Sequence, residues 1–245
     1  MGRLSAVIER HLLKLRRRND ISDDEERAIR GAVSEVREYP ADFTFIKRHK
    51  ELHHSTMLLE GLACRLKDLR DGERQISELH IPGDFADLHS FTLKHLDHDL
   101  IALTPCKVAL VPHARLKEIS ERFPHLTRVY WFATNLDAAI HREWELSLGR
   151  RSATSRLAHL FCELHVRLGI VGLAGEKEFQ FRLTQQDLAD CLGLTVVHVN
   201  RVLKDLRERG ILGFKSGRAQ LLDLSSLKEI AEFDPTYLYL DLRPR

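Results

Sequence analysis

Taken at 100° per residue, the stretch from residue 195 to 209 puts Val197, His198, Asn200, Arg201, Lys204 and Asp205 on one side of a helix. Val196, Val199, Val202, Leu203 and Leu206 fall on the other. The first set can do hydrogen-bond chemistry at the edges of base pairs. The Arg201 guanidinium can give two bonds to guanine O6 and N7, and Asn200 can pair with adenine N6 and N7. His198 can donate to a base or a phosphate, and the Val197 methyls suit a thymine methyl. These four are the expected base-reading residues. An apolar, β-branched side chain on an outward helical face calls for something to cover it, and a major groove would do so.

Such a surface needs elements that aim it. Thr184 can cap a helix with Asp187 three residues on, and that helix runs through Leu188, Ala189 and Cys191 to a turn at Gly193. Thr195 then offers a second N-cap. The amphipathic helix that follows runs to Arg209 and closes at Gly210, with Arg207 and Arg209 in its last turn. Two short helices joined this way form a helix-turn-helix. Phe214 to Leu224 reads as a hairpin with Ser216-Gly217 at its tip, a wing carrying Lys215 and Arg218. From Arg201 to Arg218 the cations are Arg201, Lys204, Arg207, Arg209, Lys215 and Arg218 against Asp205 and Glu208, a local charge of +4. Lys204, Lys215 and Arg218 are expected on phosphates, so binding should weaken steeply with salt. The bland alternative is a solvated amphipathic helix with no ligand.

The rest of the chain bounds what carries this unit. Its 245 residues, 43% hydrophobic, leave room for two domains, and the overall charge of +2 names no partner. Leu4, Ile8, Leu12, Leu13 and Leu15, then the capping box Ser22/Glu25, predict two short N-terminal helices. From Phe43 to Val111, β-rich runs broken by Asp71-Gly72 and Pro82-Gly83 predict an antiparallel roll. Leu126, Val129, Ala133, Leu136 and Ile140 then step by threes and fours along a helix over 124–150. At 1.5 Å per residue it is about 40 Å long, more than a small roll covers. The expectation is that this stripe meets a second copy of the chain in a parallel homodimer; the alternative is that it packs only on its own roll. The expected division is 1–123, helices and roll; 124–150, dimerisation helix; and 151–245, winged helix-turn-helix. The fold class is therefore α+β.

Several functions are excluded as expectations. No window approaches the apolar length of a spanning helix and no secretory leader is visible, so the chain is expected in the cytoplasm, with no membrane partner. Cys64, Cys106, Cys162 and Cys191 are widely spaced, which fits reduced thiols rather than a disulfide or zinc framework. There is no phosphate-cradling glycine loop, HExxH or G-x-S-x-G, so no enzyme is expected, and no cofactor.

The segment LTQQDLADCLGLTVVHVNRVLKDLRERGIL closely resembles the winged helix-turn-helix of the cyclic-AMP receptor and fumarate-nitrate regulator family, usually written Crp/Fnr. TVVHVNR resembles a recurring subgroup version of its recognition helix. The resemblance runs over nearly the whole chain, with the roll similar to the family's cyclic-nucleotide-binding β-roll and the long helix similar to its dimerisation helix. It implies a homodimeric transcription regulator that reads a palindrome in double-stranded DNA. By position it implies phosphate contacts at Thr184, Gln186 and Thr195 and base reading at Arg201. The more usual family pattern has Arg-Glu where this chain has Val196-Val197, which implies a different half-site. In the family's nucleotide binders a Gly-Glu pair holds the ribose and Arg-Ser or Arg-Thr grips the phosphate. Here Gly83-Asp84 survives, but Leu96 and Asp97 stand at the phosphate positions, and a carboxylate there opposes an anion. Binding of cyclic AMP is not expected. The cysteine cluster of iron–sulfur members is missing too, since Cys64 is the first cysteine. RNA polymerase is a further partner if the protein activates transcription.

Two sensing readings stay open. His80, His89, His95 and His98 flank the segment where an effector would lie, without regular ligand spacing. Cys191, inside the helix-turn-helix, is either a packing residue or a redox switch. The alternative function is a small-molecule, haem or redox sensor whose helix-turn-helix is only a scaffold.

Overall fold

The computed structural model describes residues 8–244 and forms two compact units. The first comprises the described residues up to Lys67, Glu78–Ala138 and the described residues from Tyr239; the second comprises Asp68–Ser77 and Ala139–Leu238.

The first unit opens with α1 (Glu9–Arg16) and α2 (Asp23–Ala32), the latter started by the Ser22/Glu25 capping box. Leu4 lies outside the described residues. The roll is two antiparallel sheets. In one, β7 (Cys106–Pro112) lies between β1 (Glu35–Tyr39) and β3 (His54–Glu60); the other has the order β2 (Thr44–Ile46), β6 (Asp99–Ala102), β4 (Ala63–Asp68), β5 (Arg74–His80). A short helix α3 (Ser90–Leu93) precedes β6, and α4 (His113–Arg122) leads into the long α5 (Pro124–Arg150). Apolar side chains of α1, α2, β3, β7 and α4 share one core with Leu126 and Val129 of α5.

That core corrects the reading of the long helix. Leu126 and Val129 are fully buried inside their own unit, Ala133 packs on the same cluster, and Leu136 and Ile140 are also buried within the chain. Four of the five stripe residues are thus covered within the single chain, and Ala133 is half-buried, so the stripe offers little apolar surface to a second copy. The outward residues are Trp131, 68% exposed, with Asn135 and Ala138 following at steps of four and three.

The second unit holds the rest of α5, then α6 (Ala153–Ile170), β8 (Glu178–Gln180), α7 (Gln185–Leu192), α8 (Val196–Glu208), β9 (Leu212–Lys215), β10 (Arg218–Leu221) and α9 (Leu224–Ala231). Phe161, Phe179, Phe181 and Phe214 cluster with ring centroids 5.4–6.3 Å apart, fixing α6 to the sheet. Glu163, fully buried on α6, accepts from Trp144 Nε1 at 3.1 Å, Arg167 at 2.9 Å and the Tyr237 hydroxyl at 2.8 Å.

His159 lies next to this group, 2% exposed, stacked on Tyr237 and edge-on to Phe233. Burial first, then the nearby Arg151, pushes its pKa down to about 3. Between that value and about 6.5 the unfolded chain binds the extra proton, so acid removes up to about 1.4 kcal/mol of stability per pH unit. His159→Phe keeps the stacking and is expected to flatten this acid slope in chemical denaturation at pH 4.5–7. An unchanged slope would mean that other groups set it.

Candidate nucleic-acid interface

The helix-turn-helix is built by local hydrogen bonding. Thr184 caps α7 by accepting from the Asp187 amide at 3.1 Å, while the Asp187 carboxylate accepts from the Thr184 amide at 2.8 Å. Gly193 ends α7 at φ +60°, in the left-handed region, and a Cβ there would press on Leu148 at 3.2 Å. Thr195 then caps α8 by accepting from the His198 amide at 3.2 Å. Val199, Val202 and Leu206 are buried and anchor the helix, with Val196 and Leu203 half-buried at its margins.

The opposite face is open. Val197 is 79% exposed, Asn200 and Arg201 are exposed, and His198 is half-buried. Thr184, Gln186, Thr195, Lys204 and Lys215 are also exposed. Gln186 spends its amide on Asp190 at 2.6 Å, and the Thr184 hydroxyl donates to Asp187.

The wing has three strands rather than a lone hairpin, in the order β8, β10, β9. Ser216 and Gly217 both take positive φ, 51° and 71°, the geometry of a tight hairpin turn. A Cβ on Gly217 would meet Arg182 Cα at 2.9 Å, so the turn is pressed against the segment leading to α7. Exposed Arg182 is a cation beside the wing that the sequence reading passed over, because its nearness comes from folding rather than spacing.

The cationic patch is smaller than its sequence count. Arg218 pairs with Glu178 of β8, Lys204 lies 3.7 Å from Glu208, and Arg209 lies 3.2 Å from Asp205. Arg201, Arg207 and Lys215 make no ion pair among the described residues. Such exposed pairs are weak and yield readily to a phosphate. Cys191 is 2% exposed and lines a void of about 20 Å³ with Trp144, Leu148 and His159, the setting of a packing residue.

In the roll, α1 crosses the Gly83-Asp84 turn. Lys14 Nζ lies 2.5 Å from Asp84, His11 Nδ1 lies 2.9 Å from the Gly83 carbonyl, and a Cβ on Gly83 would strike the Arg10 carbonyl at 2.8 Å. Arg65, 4% exposed, is ringed by Glu78 at 2.5 Å, Asp137 at 3.2 Å and the Ala86 carbonyl at 3.0 Å. Leu96 is buried among Ile46, Ala86 and Leu100, while Asp97 is exposed and held by Lys67 and His98, which keep its carboxyl well below the ordinary range. His98 itself is lowered by burial.

Comparison with known proteins agrees with both units. A cyclic nucleotide-binding domain model matches residues 36–123, and a Crp-like helix-turn-helix domain model matches residues 155–230. The transcriptional activator protein FnrL of Cereibacter sphaeroides is 28% identical over 218 residues, covering 86% of each chain. The nitrogen fixation regulation protein FixK of Bradyrhizobium diazoefficiens is 32% identical, covering 71% of this chain and 72% of its own. The solved structure of FixK2 from Bradyrhizobium japonicum superimposes with a TM-score of 0.74 at 26% identity, covering 81% of this chain and 97% of that one. With a cyclic-nucleotide-binding β-roll, a long helix and a helix-turn-helix DNA-binding domain in that order, the chain belongs to the Crp/Fnr family of transcription regulators.

Proposed function

We propose that this regulator acts as a homodimer on a palindromic operator, reads each half-site with α8, and does so without cyclic AMP. The observation that carries the reading is the open face of α8, where Val197, Asn200 and Arg201 stand exposed on a helix anchored from behind by Val199, Val202 and Leu206. Arg201 addresses guanine, Asn200 adenine, Val197 a thymine methyl, and His198 a base or phosphate. Thr184, Gln186, Thr195, Lys204, Lys215 and Arg218 hold phosphates, Arg218 after leaving Glu178. TVVHVNR in this reading marks a subgroup whose half-site differs where Val196-Val197 replace the usual pair.

The division into 1–123, 124–150 and 151–245 assigns the roll, the connecting helix and the reader. The dimer contact belongs to the outward side of α5, where Trp131 and Ala138 lie seven residues apart. Two readers about 34 Å apart would then meet successive major grooves. Ala138→Arg is expected to raise the dimer dissociation constant in analytical ultracentrifugation; unchanged dimers would move the contact elsewhere. Against cyclic AMP stand Asp84, already paired with Lys14, and Asp97 at a phosphate position. The protein is in this reading not an enzyme and works in the cytoplasm, with RNA polymerase as partner where it activates. Among the described residues no helix is long and apolar enough to cross a membrane.

Selection of bound duplexes from a random pool, followed by gel shifts across a salt series, tests the reading. A recovered palindrome with steep salt dependence is expected. Lys215→Ala should weaken all sequences alike and lower the salt slope by about one per contact removed, about two for a dimer. Absence of any selected sequence would reduce the helix-turn-helix to a scaffold.

A further inference from the structure

Outside the roll's strands, α3, α4 and the first half of α5 enclose a cavity of about 410 Å³. Its walls are mainly apolar, from Leu88, Phe91, Leu93, Leu116, Ile119 and Trp131, and no strand residue lines it. In the single chain Leu93 and Trp131 are exposed, so large apolar side chains surround its mouth; Trp131 is also assigned to the proposed dimer contact, which places that mouth beside the seam between two copies. Both size and lining are those of a small-molecule site.

The polar lining is His89, Thr92, Ser120, Thr127, Tyr130 and Thr134, and most of it is committed: the His89 ring leans on His98 at 5.7 Å and the Thr92 hydroxyl donates to the His89 carbonyl at 3.1 Å. The Ser120 hydroxyl donates to the Lys117 carbonyl at 2.7 Å, Thr127 to the Ser120 carbonyl at 3.0 Å, and Thr134 to the Trp131 carbonyl at 2.8 Å. Tyr130 is the exception. Its ring is fixed edge-on by Phe85 at 5.8 Å and leans on His11, yet its hydroxyl has no hydrogen-bond partner among the described residues. Burial holds this phenol protonated, well above the ordinary tyrosine range, so it is an unspent donor. No Lys, Arg, Asp or Glu lines the cavity, and His89, at its edge on the turn into α3, is the one lining imidazole, so a charged guest would lose its hydration with little to replace it.

We propose that this cavity binds an uncharged, mainly apolar small molecule that presents one hydrogen-bond-accepting oxygen to Tyr130. The site is separate from the Gly83-Asp84 turn, and four of its lining residues, Thr127, Tyr130, Trp131 and Thr134, belong to α5. A second copy of the chain is a poorer occupant, because a helix about 10 Å wide can cover the mouth but not enter.

Benzophenone, which carries one carbonyl oxygen and cross-links under ultraviolet light, is a suitable probe, with diphenylmethane as its oxygen-free match. Full-length protein is expected to show saturable cross-linking of one benzophenone per chain, mapped by mass spectrometry to α4 and α5. Thr134→Trp and Thr92→Trp, which fill the space from opposite walls, should abolish it while thermal melts remain cooperative. Tyr130→Phe should weaken benzophenone about five-fold and leave diphenylmethane, measured by competition, unchanged. Cross-linking that is unsaturable, or indifferent to both filling variants, would overturn the proposal. So would binding seen only in the dimer-weakened Ala138→Arg protein, which would make a second copy the occupant. No DNA enters the measurement, so operator binding stands or falls separately.

Discussion

Arg65→Met is expected to cost the fold about 3–5 kcal/mol at pH 8, because it strands buried carboxylates rather than merely deleting a bond. Glu78 is 1% exposed, and Asp137 is already held above the ordinary carboxylate range, by burial first and then by Glu78. Without the guanidinium Glu78 must take up a proton to stay inside, and the half-buried Asp137 loses the cation that favours its charged form. An acid whose folded pKa is raised binds more protons folded than unfolded above about pH 4, so stability falls as pH rises through that window. The variant should therefore recover part of its loss between pH 8 and pH 5. The buried His11 and His113, each lowered to about 4 by burial, resist acid charging in both proteins, and Asp87, raised to about 7 by burial, opposes them in both, so these cancel in the comparison and the change in the loss with pH reports Glu78 and Asp137. Urea denaturation of both proteins at pH 5 and pH 8 measures the difference. An equal loss at the two values would show that packing, not stranded charge, is what Arg65 supplies.

Arg201→Ala is expected to lose about 1–3 kcal/mol per half-site, or about 5- to 150-fold, and to relax preference at one base pair in each half-site. The side chain is exposed and has no carboxylate to leave, so the loss reflects DNA alone. Arg207→Ala, at the far end of the same helix, serves as control and should change affinity without changing sequence. If Arg201→Ala selects the same sequences as wild type, another residue reads that base.

What the sequence made legible is what neighbouring residues decide. The Thr184/Asp187 box, the Gly193 bend, the Thr195 cap and the Ser216-Gly217 turn are all contacts within a few residues, and each is present. The long helix matches its expected span of 124–150, because its limits are set by Pro124 and by Ser152, which caps the next helix. Which side of it faces inward was not legible. An apolar stripe states that something covers it, and Leu126 and Val129 found that cover in α1, α2 and the roll, while the larger Trp131 stayed outside. Arg65 was hidden for a related reason: it sits in an apolar run whose charge is answered by Glu78 and, 72 residues on, by Asp137. Arg218 likewise meets a carboxylate 40 residues away. Distant partners of this kind leave no spacing to read.

The crossing of α1 over Gly83-Asp84 turns the protein's own Lys14 and His11 into a tethered competitor for that turn. A group held on the same chain acts at an effective concentration of roughly millimolar or more. Any diffusing metabolite aimed there would have to displace an occupant that is never diluted. Loosening α1 would therefore be the first step in opening that turn to an outside ligand.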